Sequence, residues 1–105
     1  MAQDVLVVLI TCPPKTADKL AKGLVEDRVA ACVNIVKSLR SYYRWKDGIH
    51  KDDEALLIVK TTRDRFEDLK KAVLKRHPYE LPEVIAVTVE RGHAPYLDWV
   101  VESTR

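Results

Sequence analysis

ACVNIVKSLRSYYRWKDGIHKDDEALLIVKTT, residues 31–62, decides the fold. From Ala31 to Trp45 the side chains alternate with period two. Val33, Ile35, Leu39, Tyr43 and Trp45 fall on one face of a strand, with Asn34, Ser38, Arg40 and Arg44 on the other. Asp47-Gly48 is a favoured pair for a tight hairpin turn. The chain then returns from Ile49 to Thr62, and its inner part, Ala55 to Val59, is apolar without a break. At ~3.4 Å per residue the outgoing arm alone spans on the order of 50 Å. A domain of this size has a radius of gyration of about 13 Å, so part of the hairpin overhangs its own sheet. An exposed apolar and aromatic ribbon needs management. Either a bulge near Lys37-Ser38 bends the arm back onto its own domain, or the arm pairs with another copy.

The flanking segments complete a two-layer α+β pattern. Asp4 to Cys12 reads as a strand buried on both faces and halted by Pro13-Pro14. Ala17, Leu20, Ala21, Leu24 and Val25 take the i, i+3, i+4, i+7, i+8 positions of a first helix. Phe66, Leu69, Val73, Leu74 and His77 mark a second, which Pro78 ends. Val84 to Val89 is a further strand, and Pro95 opens a last helix carrying Tyr96, Val100 and Val101. The order β-α-β-β-α-β plus a terminal helix predicts a ferredoxin-like fold with strand order 4-1-3-2. At 105 residues the chain makes one domain, residues 1–105.

Composition excludes several function classes. Eighteen basic residues against sixteen acidic ones give a formal charge of +2, too little for an electrostatic nucleic-acid or membrane footprint. An RNA-binding module of the same topology stacks bases on aromatics of its central strands. Here Val5 to Thr11 and Ala55 to Thr61 carry none. Gly23, Gly48 and Gly92 are isolated, so no phosphate-cradling loop is present. Met1-Ala2-Gln3-Asp4 is not a basic leader, and the apolar run after it is too short to span a membrane. Two cysteines, Cys12 and Cys32, lack C-x-x-C spacing and should sit at opposite ends of the sheet, unpaired, in a reducing cytoplasm.

Five stretches together resemble the CutA (divalent-cation tolerance) family: residues 24–35 with A-A-C-V-N, Ser41-Tyr42-Tyr43-Arg44-Trp45 with Gly48, Glu54 through Lys60-Thr61, His77-Pro78-Tyr79-Glu80-Leu81-Pro82-Glu83, and Tyr96-Leu97-Asp98-Trp99. The similarity runs in order along the whole chain. It implies a ferredoxin-like subunit in a homotrimer, similar in architecture to the PII signal proteins, with a part in tolerance to divalent metals. Where copper ligands are assigned in the family, they are a cysteine ending the first strand and two adjacent histidines at the H-P-Y motif. His77 matches the second histidine and Arg76 stands in place of the first. Ile10 aligns with the cysteine, and Cys12 lies two residues on, on the same face of the strand.

The topology predicts that Cys12, His77, Tyr79 and Glu83 approach one rim of the sheet at the base of the hairpin. A thiolate and an imidazole suit copper or zinc, so Cys12, His77 and Glu83 are the candidate metal ligands for copper or another divalent cation. The same rim residues are the candidates for an enzyme of unknown reaction. Tyr43, Trp45, Tyr79 and Trp99 are candidates to wall a small-ligand cleft between subunits, with Lys60 to hold an anion. The plainer readings are interface packing for the aromatics, a lysine in solvent beside an N-cap threonine for Lys60-Thr61, and a packed helix-end residue for His77. Cys32 reads as a small buried hydrophobe.

Overall fold

The computed structural model describes residues 4–105; Met1-Ala2-Gln3, part of the segment read as no leader, lie outside the described residues. The elements are β1 (Val5–Cys12), α1 (Ala17–Glu26), β2 (Cys32–Trp45), β3 (Gly48–Thr62), α2 (Phe66–Arg76), β4 (Val84–Thr88) and α3 (Ala94–Ser103). They form one antiparallel sheet in the order β2-β3-β1-β4, the predicted 4-1-3-2 read from its other edge.

One face of the sheet is covered by α1 and α2. Leu6, Val8, Ile10 and Cys12 of β1 and Ala55, Leu57 and Val59 of β3 meet Leu20 and Leu24 of α1 and Leu69 and Val73 of α2. Fully burying side chains of this size contributes about 1.5–3 kcal/mol each. The apolar stripes are narrower than predicted: Val25 and Leu74 remain exposed. Thr61 is no helix cap. It is buried, and its hydroxyl donates to the Val29 carbonyl at 2.7 Å, pinning the crossing between α1 and β2. Arg76 points across the helix layer, where its guanidinium meets the Asp27 carboxylate at 2.6 Å.

Among the described residues, the opposite face is covered only at its end, where Leu97 and Val100 of α3 pack on Val5 and Ala31. Beyond α3 it carries an apolar patch of Val7, Leu9, Ile58, Ile85 and Val87, bordered by Asn34 and Lys60. One row runs Asn34, Ile58, Leu9, Ile85 and the next Cys32, Lys60, Val7, Val87, with Val36 and Leu56 paired alongside. Ile85 and Val87 are 52% and 55% exposed.

The hairpin projects from this body, and the whole measures 45 × 25 × 22 Å. A bulge is present where predicted. Val36 pairs with Leu56 and Leu39 with Glu54, so Lys37 and Ser38 together face Ala55, and Ser38 takes a positive φ of 66°. The bulge leaves the outer arm exposed, Tyr42 and Ile49 included, and it shifts the alternation by one residue. Val33 and Ile35 face the helices, whereas Leu39, Tyr43 and Trp45 share the face of Glu54 and Leu56. The expectation of one continuous face from Val33 to Trp45 is corrected, because an extra residue in one strand turns every later side chain over.

The turn also sits one residue earlier than expected. Trp45 already pairs with Gly48, so Lys46-Asp47 make the loop, and Lys46 adopts φ 55°. A left-handed residue at the first central position favours glycine. Lys46→Gly is therefore expected to stabilise the protein by about 0.5–1 kcal/mol, less steric cost outweighing the entropy of glycine, as read from urea midpoints.

Candidate functional site

The shifted arm, the end of β1 and the segment between α2 and β4 enclose a cleft of 650 Å³. Residues 41–45 form one wall, Tyr79, Glu80, Leu81 and Glu83 the other, and Thr11 and Glu54 the floor. The bulge places Tyr43 and Trp45 here, because it turns them onto the face that Glu54 and Thr11 already occupy.

His77 anchors the second wall. It is the C-cap of α2 with extended backbone geometry, only 8% exposed. Its Nε2 lies 2.7 Å from the Thr11 carbonyl, and the backbone N–H of Tyr79 donates to Nδ1 at 3.2 Å. The tautomer that satisfies both partners carries its proton on Nε2. β1–β4 pairing ends at Ile10 and Val84, so the ring takes a carbonyl one residue beyond the ladder. The Tyr79 ring leans on the imidazole, centroids 4.7 Å apart, and its hydroxyl donates to Glu54 at 2.9 Å.

Glu54 is the electrostatic centre. It is 6% exposed at the outer end of the apolar run of β3. Burial, the hydrogen bond to Glu54 and the charges of Glu54 and Asp52 all raise the Tyr79 phenol well above its ordinary pKa. Tyr43, which donates to Asp52, is raised by that bond and by the same two carboxylates. Across the sheet the Thr11 hydroxyl donates to Glu83 at 3.4 Å.

Three of the five predicted cleft residues, Tyr43, Trp45 and Tyr79, line this one cavity. Lys60 and Trp99 do not. Lys60 lies further along β3, bonded to Asn34 and 3.9 Å from the Cys32 sulfur. Trp99 is on α3, its ring 5.5 Å from that of Tyr96. Cys32 is thus half-buried beside an ammonium group rather than sunk in the core.

The metal candidates are neighbours in the chain fold without sharing a coordination sphere. Cys12 is 0% exposed and packs in the core under the helices, whereas Glu83 meets Thr11 on the opposite face. Both ring nitrogens of His77 are engaged by backbone groups. Among the described residues no group of three or more His, Cys, Asp or Glu is arranged to hold a metal ion. As placed, Cys12, His77 and Glu83 do not fit a metal as a set. Nor is Cys12 activated as a nucleophile: burial, then the charge of Glu54, push its thiol upward.

The sequence model of the "CutA1 divalent ion tolerance protein" matches residues 6–103. The chain belongs to the CutA1 family. The "Divalent-cation tolerance protein CutA" of Thermus thermophilus is 50% identical over 99 residues, covering 93% of this chain and 96% of that protein. The solved structure of a divalent cation tolerance protein from Thermus thermophilus aligns with TM-score 0.94 at 49% identity, over 96% of this chain and 99% of that one. The "PII-like protein CutA from Nostoc sp. PCC 7120 in apo form" aligns with TM-score 0.90 at 32% identity, over 95% of this chain and 97% of that one.

Two of the stretches that carried the CutA resemblance, Ser41–Trp45 and His77–Glu83, face one another across the cleft. Sequence reasoning missed Thr11 and Glu54 as its floor. For Glu54 a signal existed, a carboxylate set flush against the apolar run Ala55 to Val59. Thr11 carried none.

Both thiols are free. Thiol titration is expected to find two free thiols per chain in the unfolded, non-reduced protein, with Cys12, packed in the core, reacting only after denaturation. A protected pair would contradict the strand order.

Proposed function

We propose that this CutA1 protein is a cytoplasmic homotrimer that binds a metal ion or small ligand in divalent-cation tolerance, a PII-like binding and signalling body rather than an enzyme. The observation that carries the reading is the uncovered apolar face of the sheet, Val7, Leu9, Ile58, Ile85 and Val87, continuous with a projecting arm. Contiguous apolar surface of that kind is rare on monomers and marks association. In this reading three such faces meet around a common axis, and the projecting arm of each chain pairs with a neighbour. The cleft at the base of the arm is the ligand site in this reading, since it combines aromatic walls with a few convergent polar groups. The unactivated Cys12 thiol favours binding over nucleophilic catalysis.

Sedimentation equilibrium tests the assembly and should return three times the 12.0 kDa chain mass. A monomer at micromolar concentration would sink it. Thermal shift against a panel of divalent cations and small metabolites tests the ligand half, because whatever binds the native state raises its melting temperature. Copper is examined by titrating wild type, Cys12→Ser and His77→Ala. Heat lost in both variants with the assembly intact assigns copper to those two side chains. Heat retained in both moves it to other donors.

A further inference from the structure

We infer that the cleft at the base of the arm is built for a small organic cation, a protonated or quaternary amine. This rests on the reading of the cleft as the ligand site and names the chemical class it takes. Tyr42, Tyr43, Trp45 and Tyr79 line a cavity of 650 Å³, within the ordinary range of small-molecule sites of about 300–1,000 Å³. Aromatic faces carry negative quadrupole potential and attract alkylammonium groups, which keep their charge while burying methyl and methylene surface. The Trp45 ring already lies 5.8 Å from the Lys46 ammonium, so a cation approaches this side chain within the molecule itself.

The charges agree with the rings. Glu54, Glu80 and Glu83 line the cavity, and Arg44 is the one basic side chain among its described lining residues. Glu54 is nine-tenths buried, so its charge is poorly screened by solvent. Burial raises the Tyr79 phenol and the Cys12 thiol and the hydrogen bond to Asp52 raises the Tyr43 phenol, and the Glu54 carboxylate adds to each. A site for an anion would be lined mainly by basic side chains. A site for a bare divalent ion would gather at least three donors on one point, and no such group exists among the described residues. An alkylammonium ion needs no such convergence: aromatic faces and a diffuse negative potential suffice.

The test is isothermal titration of the full chain with choline, with its neutral isostere 3,3-dimethylbutan-1-ol, and with citrate. Choline is expected to bind about tenfold or more tighter than the isostere, a ratio in the range of a desolvated cation–π and ion-pair contribution. Trp45→Leu and Glu83→Gln, both outside the helix-face core, are each expected to weaken choline several-fold while leaving the far-UV circular dichroism unchanged. Equal binding of choline and the isostere, or binding of citrate in preference to choline, would overturn the cation inference and leave the cleft reading standing. Choline binding unchanged in both variants would place the site elsewhere and overturn the inference as well. Absence of binding by all three probes would overturn the inference and count against the cleft as a ligand site.

Discussion

If the proposed trimer forms through the uncovered face, exchanging Leu9 and Ile58 together for glutamate is expected to reduce the sedimenting mass from three times 12.0 kDa to a single chain. The two residues are direct cross-strand partners in the middle of the uncovered face, between Asn34 on one side and Ile85 on the other. Two carboxylates there oppose each other within the sheet and would lie unpaired in any interface that covers it. An uncompensated buried charge costs several kcal/mol. The helix-face core, including Leu57, Val59, Leu24 and Leu69, is untouched by the exchange. The monomer should therefore keep its secondary structure by circular dichroism while losing thermal stability and the protection that assembly provides. A double variant that still sediments at three times the chain mass would show that assembly uses another surface.

His77→Ala is expected to cost about 2–3 kcal/mol and to loosen the segment from Pro78 to Glu83. The figure sums two hydrogen bonds at about 0.5–1.5 kcal/mol each and the lost packing of a largely buried ring. The imidazole ties three things together: the C-terminus of α2, the end of β1 through the Thr11 carbonyl, and the backbone of Tyr79. With the ring removed, the Thr11 carbonyl loses the partner that replaces a strand beyond the β4 ladder. Tyr79 loses both its backbone acceptor and the ring it leans on, so its bond to Glu54 is no longer held in place. Urea unfolding measures the first effect, and amide exchange at Tyr79 and Glu80 the second. A variant within about 0.5 kcal/mol of wild type, with native exchange at Tyr79, would remove His77 from this structural role.

The order of elements and the strand order follow from local pattern, because strands and helices bury apolar side chains with periods of 2 and 3.6. The runs Val5 to Cys12 and Ala55 to Val59, the α1 stripe through Leu20 and Leu24, and the stop at Pro78 are each legible from a dozen residues at most. So is the approach of Tyr79 and Glu83 to the rim where β1 ends, which the topology predicts. Direction is another matter. Which face the arm presents depends on one extra residue at Lys37-Ser38, and alternation predicts the wrong face for Leu39, Tyr43 and Trp45 until the pairing of β2 with β3 is known. Cys12 lies close to His77 in the chain fold, yet its side chain points into the helix-covered core while the cleft opens on the other face. The ring nitrogens of His77 look available in the sequence and are engaged in the fold by the Thr11 carbonyl and the Tyr79 amide. Residue type and spacing determine what a segment can bury. Which partner each polar atom finds is settled by long-range pairing, since that partner lies 25 residues away for Tyr79 and Glu54 and 66 for His77 and Thr11.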